Sequence, residues 1–582
     1  MSTHRRWLAH PRTPWVAVVL GVLAMCLSLD TGLAADDFLL QYALVGGTPL
    51  PFADVGPSGL PELASTADVH ASRATGLLPW TASESFRFAF LRPLAMLTHR
   101  LDFSVWPSQP WLMHAHSVLW FGAFLTAAVT FIRRIEGPTW VAGFAALVLA
   151  LDDAHGPSVG WIANRNLIMA GAFGFAALVV QHKRIDGAPA WLAPLLFVAG
   201  LASNEGTIGL WPLAMAVIGL LDPRPQKWRD AAVLAALCVG WGVLWAALGM
   251  GVHHSGIYAD PSGDPVGSVV QLLTNLPILL MSATSGIWAD FFSFAQPTGR
   301  RVWWLFALTI TAIATVIGVR LAARDRHAAV WGIGLLGAAI PISASFPSDR
   351  LLLLVSVPAA AWLAHLLAHL RDDRRAWRVA QAVALALVVR HVGSNVLLSP
   401  LRARSMENPQ ALVERAWKSL DLDGAEDRVV VLLNPVSDGI PAYSLILQST
   451  AYQPVPRGLH TLYSGTASLS VERLDATTLR LRPATAWMAV PSERLSRDVA
   501  RQPFIVGDRV VLNGLSIVVD AVTSDGRPAQ TTVTFDRPLE DPLYRWHAWD
   551  VIDMRPVTPP AIGETLVLPP TDPVKAFFGI ED

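Results

Sequence analysis

The sequence predicts a polytopic α-helical membrane protein of about eleven spans with a C-terminal extracytoplasmic β-rich domain. Three observations carry that prediction. Of 582 residues, 53% are hydrophobic and 15% charged, against about 25% charged in soluble proteins, and the mean hydropathy is +0.42. Apolar runs of spanning or near-spanning length recur between residues 15 and 398. Beyond about residue 400 the chain changes to short β-branched runs broken by turn residues. A purely soluble enzyme is excluded. The net charge of −1 removes the basic surface that nucleic acid requires. Cys26 and Cys238 both sit in apolar runs, which excludes a disulfide framework. The 23 Trp suit aromatic anchoring at the lipid–water interface.

The candidate spans are 15–35, 111–132, 138–151, 159–180, 189–203, 206–221, 231–252, 302–320, 328–345, 350–370 and 376–398. The third, fifth and sixth are short enough to tilt or stop short of a full crossing. Basic clusters at Arg5–Arg12, Arg133–Arg134, His182–Arg184, Arg224–Arg229, Arg320–Arg326 and Arg371–Arg378 set the orientation. All six face the cytoplasm if 266–292, which holds Asn275, Pro277 and Asp290, is interfacial or re-entrant. The N-terminus is then inside and the C-terminus outside. The apolar core at 15–29 followed by Gly32, Ala34 and Ala35 also imitates a cleavable signal peptide, but a retained first helix keeps the charge pattern consistent.

Two hydrophilic pieces are thereby placed outside: the Pro- and Gly-rich loop 36–110, with an amphipathic piece at 84–103, and the tail. The predicted domains are 1–399 and 400–582. Strands are expected at Val429–Leu433, Thr478–Leu481, Arg509–Leu512, Leu515–Val522 and Thr531–Phe535. Asn513-Gly514 is a two-residue hairpin signal because both positions tolerate φ > 0, and Ser524-Asp525-Gly526 is a second turn. A meander follows.

Asp36 and Asp37 come directly after the first span. A carboxylate held by a rigid helix end suits a general base; the plain alternative is a pair of helix-end charges. Adjacent residues point about 100° apart on a helix, so one of the two faces a reacting group. Arg92 and Arg100 lie on the amphipathic piece, where guanidinium forks match either a phosphate or lipid headgroups. Asp102 follows. His114 and His116 open the second span facing roughly opposite ways. The turn Asp152-Asp153-Ala154-His155-Gly156-Pro157 leads into Trp161-Ile162-Ala163-Asn164-Arg165-Asn166. An Arg inside a span needs a partner or a wet cavity, and Glu205, between the fifth and sixth spans, is the expected partner of Arg165. Arg350 opens the tenth span. Every unusual polar cluster is expected at this one outer level. Trp546 and Trp549 suit either sugar stacking or burial in a β core.

This arrangement resembles the GT-C superfamily of polytopic glycosyltransferases. The carrying features are the acidic doublet after the first span, Arg92-Pro93-Leu94 with Leu101-Asp102, and the His-led second span. Asp153 to Pro157 with Trp161 to Asn166 is similar to the protein O-mannosyltransferase-like, polyprenyl-phosphate-sugar-dependent branch. Asn204-Glu205-Gly206 is similar to that branch's Lys-Glu element, with Asn in place of Lys. The likeness covers roughly 1–370. It implies a lipid-phosphate-linked sugar donor and transfer to an acceptor hydroxyl on the periplasmic face of a bacterial inner membrane. It implies Asp37 or Asp36 as the base, and Arg92, Arg165 and Arg350 on the donor phosphate. Asp102, His116, His155, Asn164, Asn166 and Glu205 would support the site. Carboxylates would suit a divalent cation, Mg²⁺ or Mn²⁺, although no sequence feature fixes one. The acceptor is a glycan, a lipid or a protein. The competing readings are a lipid-linked glycan flippase or transporter, and a non-catalytic membrane platform for the tail.

Overall fold

The computed structural model describes residues 3–50, 62–63, 65–295, 297–372 and 377–581. Residues 51–61 of the outer loop and the middle of the basic cluster 371–378 lie outside the described residues. The chain packs as two units. One holds Met1–Leu33, Leu91–Met250 and Val266–Met406; the other holds Ala34–Phe90, Gly251–Pro265 and Glu407–Asp582. The sequence reading drew a single boundary at 399/400 and kept the outer loop with the membrane part. Packing instead joins most of that loop to the tail.

The first unit is helical. Among the described residues eight helices are long and apolar enough to cross a membrane, and four apolar helices are shorter. The short ones are Trp140–Leu151, Leu192–Leu201, Glu205–Leu220 and Arg326–Ile342. The segment read as interfacial forms one helix, Pro265–Ser285, that runs through Pro277. Trp304 and Thr311 donate to the Thr274 and Pro277 carbonyls at 3.1 and 2.8 Å, occupying backbone acceptors next to the proline, as apolar surroundings demand. By length this helix qualifies as a span. Its side chains, however, bond to a single turn: Asn275 donates to the Ser343 and Ser345 carbonyls, and Ser282 donates to Asp349.

The core of this unit is aromatic and close-packed, with Phe121, Phe124, Phe131, Phe175 and Trp331 fully buried. Gly156 is required for a close approach. A Cβ there would lie 2.5 Å from the Arg402 carbonyl carbon, so the His155–Val159 and Asn395–Ala403 helices meet backbone to backbone.

The second unit has two sheets. The larger is antiparallel, in the order Thr565–Leu568, Leu469–Arg473, Thr478–Pro483, Pro528–Phe535, Leu515–Val522, Arg509–Leu512. Leu512 pairs with Leu515 across the expected two-residue turn, and Gly514 takes φ +87°, which a side chain would resist. The smaller sheet departs from a meander. Val429–Leu432 pairs in parallel with both Gly458–Thr461 and Tyr544–Asp550, and the Gly439–Thr450 helix makes the crossover that parallel neighbours need. Trp80, from the outer loop, packs in this unit's core against Trp487 and Phe504.

Candidate functional site

In the second unit, Asp36 and Asp37 open the helix Asp36–Val45. They divide two tasks. Asp37 is fully buried, and its Oδ2 accepts the Ala34 backbone N–H at 3.0 Å, just before the helix. Asp36 is partly exposed, and its Oδ1 accepts the Tyr443 hydroxyl at 2.7 Å. Burial, then the charge of Asp36, pushes Tyr443 well above the usual tyrosine range, so the hydroxyl keeps its proton and remains a donor. Sequence reasoning missed Tyr443, because nothing local marks a tyrosine about 400 residues downstream.

The first unit holds the arginines. Arg92 precedes Pro93, the first residue of the helix Pro93–Val105, and clasps Glu205 as a two-pronged fork, Nε to Oε2 at 3.0 Å and Nη2 to Oε1 at 2.5 Å. This corrects the expected Arg165–Glu205 pair. Arg165 instead pairs with Asp102 at 2.5 Å, both side chains at 0% exposure. It also donates to Ser117 Oγ and the Met113 carbonyl at 2.9 and 2.7 Å. Two buried charges that satisfy each other need no third ion, and the Arg165 side chain has no exposed surface. Asp102 Oδ1 also takes the Nδ1 of His116 at 2.7 Å, while Trp120 donates to its Nε2 at 3.1 Å.

Asn166 donates to the Ala163 carbonyl and accepts from Asn204, which in turn accepts the Gly206 N–H. Asn164 is buried at the start of the Arg165–Lys183 helix. His155 is buried against Phe121 and Phe124, with Nε2 on the Leu149 carbonyl, and packs rather than faces a site. The guanidinium of Arg350 lies over the rings of Trp161 and Phe346 at 5.1 and 5.4 Å and is partly exposed.

A second charge cluster was mostly missed. Arg402 donates to Asp349 at 2.8 Å, Asp290 at 2.9 Å and Asp153 at 3.3 Å, and Arg390 donates to Asp153 at 3.0 Å. Trp288 donates to Asp153 at 2.6 Å, and the Arg402 guanidinium lies over its ring at 4.5 Å. Three carboxylates thus face two guanidiniums. The argument that singled out Arg165, an Arg inside an apolar run, applies equally to Arg390.

The expectation that every polar cluster lies at one level fails. Glu136 accepts from Trp331 Nε1 at 2.6 Å and pairs with His365 Nε2 at 3.0 Å, and His365 Nδ1 meets Asp325 at 3.0 Å. Glu136 ends the same 27-residue helix that carries His116, about 30 Å further along at 1.5 Å per residue. Charge pairs therefore occupy both ends of this unit.

Among the described residues no three His, Cys, Asp or Glu side chains converge on a metal position. Trp546 and Trp549 are buried, donating to the Leu539 and Val551 carbonyls, which settles them as packing residues. Between helices of the first unit an apolar groove of about 220 Å³ is lined by Leu280, Thr311, Gly318, Ile333, Leu336 and Trp362.

No family model matches the chain, and no curated protein matches it. Among solved structures it is similar to ArnT from Cupriavidus metallidurans, crystallised with undecaprenyl phosphate, at 13% identity and a TM-score of 0.35, covering 77% of this chain and 90% of that one.

Proposed function

We propose that the protein is a membrane glycosyltransferase that moves a sugar from a polyprenyl-phosphate donor to an acceptor hydroxyl, with Asp36 as general base. The observation that carries this is the division of labour in the acidic doublet. Asp37 is fully buried and accepts the Ala34 N–H, whereas Asp36 is partly exposed and bonded by a tyrosine hydroxyl. An ionised, oriented carboxylate is what deprotonating an acceptor requires. Of the three arginines that the resemblance puts on the donor phosphate, Arg350 and Arg92 keep exposed surface in the first unit, as a ligand to the charge that builds on a departing phosphate must. Arg165 drops out of that role. The apolar groove has the chemistry to take a prenyl tail.

The test is transfer. Detergent-purified protein given polyprenyl-phosphate sugars should release polyprenyl phosphate and glycosylate an acceptor extract. Movement of intact lipid-linked glycan across proteoliposomes without bond cleavage would make it a flippase. Absence of both would leave the platform reading.

The transfer reading sets this chemistry on the periplasmic side. The second unit draws on three chain segments, and a packed unit outside the bilayer keeps all three on one side. An even number of crossings must then separate them. Six apolar helices lie between Leu91 and Met250. Among the described residues five apolar helical stretches lie between Val266 and Met406, starting at Pro265, Pro297, Arg326, Leu353 and Trp377, which balance only if one of them does not cross. Pro265–Ser285, bonded along the 343–349 turn, is that one. A periplasm-active alkaline phosphatase fused after residue 582 is expected to be active, and a cytoplasm-only reporter should be silent there.

A further inference from the structure

We propose that Tyr443, carried by the C-terminal segment, is the positioning residue for the Asp36 carboxylate, so that the tail completes the catalytic centre. This rests on the reading of Asp36 as base. The Asp36–Val45 and Gly439–Thr450 helices run side by side in register. Tyr443 bonds Asp36 at one end, and Tyr452, just past the second helix, bonds the Val45 carbonyl at the other, with the same offset of 407 residues. Thr48 and Ser449 lock the far end further: the Thr48 N–H donates to the Ser449 carbonyl, and the Ser449 hydroxyl donates to the Thr48 carbonyl. Gly47 lets this contact form, since a Cβ there would sit 2.5 Å from the Ser449 oxygen. Two anchored helices leave the phenol no freedom to drift from the carboxylate.

The bond has two chemical consequences. Engaging Oδ1 sets the plane of the carboxylate and therefore the direction in which it presents its lone pairs. A donor to the charged form of a carboxylate also favours that form over the neutral one. The neighbouring charge of Asp37 and the hydroxyl of Tyr258 face Tyr443 as well. Both discourage its ionisation and preserve its role as donor.

Tyr443→Phe removes the hydroxyl and keeps the ring and its packing. Its kcat for sugar transfer is expected to fall roughly tenfold with KM little changed. The acidic limb of its pH–rate profile should move up by about one unit, because the carboxylate loses a hydrogen bond to its charged form. Combined with Asp36→Asn it should cause no further loss. If Tyr443→Phe matches wild type in kcat and in the acidic limb while Asp36→Asn is inactive, the positioning role is wrong and the base stands. If Asp36→Asn itself turns over normally, the base reading falls and takes this inference with it. Multiplicative losses in the double variant would place Tyr443 in some other step and equally overturn the proposal.

Discussion

Asp36→Asn is expected to slow sugar transfer by roughly 10²–10⁴-fold, the usual cost of a lost general base, without loss of membrane insertion or thermal stability. The amide can still accept the Tyr443 hydroxyl, so the local structure is kept and only the basicity goes. Asp37→Asn provides the contrast. Its side chain accepts the Ala34 N–H from full burial, and an amide oxygen can accept the same bond, so turnover should stay near wild type. Initial rates from a purified polyprenyl-phosphate sugar, with unfolding temperatures for each variant, check both. A dead Asp37→Asn beside an active Asp36→Asn would move the base to Asp37.

Arg165→Ala should be among the most destabilising single changes in the membrane unit. It strands the Asp102 carboxylate, fully buried, and breaking one side of a buried pair costs about 3–5 kcal/mol. It also deprives Ser117 and the Met113 carbonyl of their donor. Steady-state level and detergent unfolding temperature should both drop. Arg165→Met with Asp102→Asn should recover part of the loss, since no unpaired charge remains. A well-folded Arg165→Ala protein with weakened donor binding would contradict this and return Arg165 to the phosphate.

The sequence made the membrane helices legible because spanning runs are long and apolar whatever their neighbours. It also placed the hairpin at Asn513-Gly514, since turn chemistry is local. Partnerships were less legible. Arg165 was rightly marked as needing a counter-ion, yet Glu205 and Asp102 were equally plausible by level, and only packing decides that Arg92 takes Glu205. Arg402 was assigned to the tail because the apolar run ends before it; a π-helical turn at Val389–Ser394 and the following helix carry it back to Asp349 and Asp290. The parallel strands at Gly458–Thr461 and Tyr544–Asp550 were invisible for a related reason. Buried on both faces, they lack the alternation that marks a strand. Tyr443 was invisible because its meaning lies wholly in a contact with the far end of the chain.

The second unit is drawn from three stretches separated by two blocks of membrane helices, and this fixes an order of assembly. The first stretch emerges early and carries Trp80, whose packing partners Trp487 and Phe504 are translated hundreds of residues later. At roughly 5–20 residues per second, its apolar side chains wait tens of seconds for a core to enter. Contacts within the stretch, such as Arg73 with Glu84 and Phe88 with Phe90, form early, but burial of Trp80 depends on contacts distant in sequence, the regime in which folding is slow. The Asp36–Tyr443 contact cannot exist before the last third of the chain is made, so the second unit is completed only after the helices of the first have been synthesised.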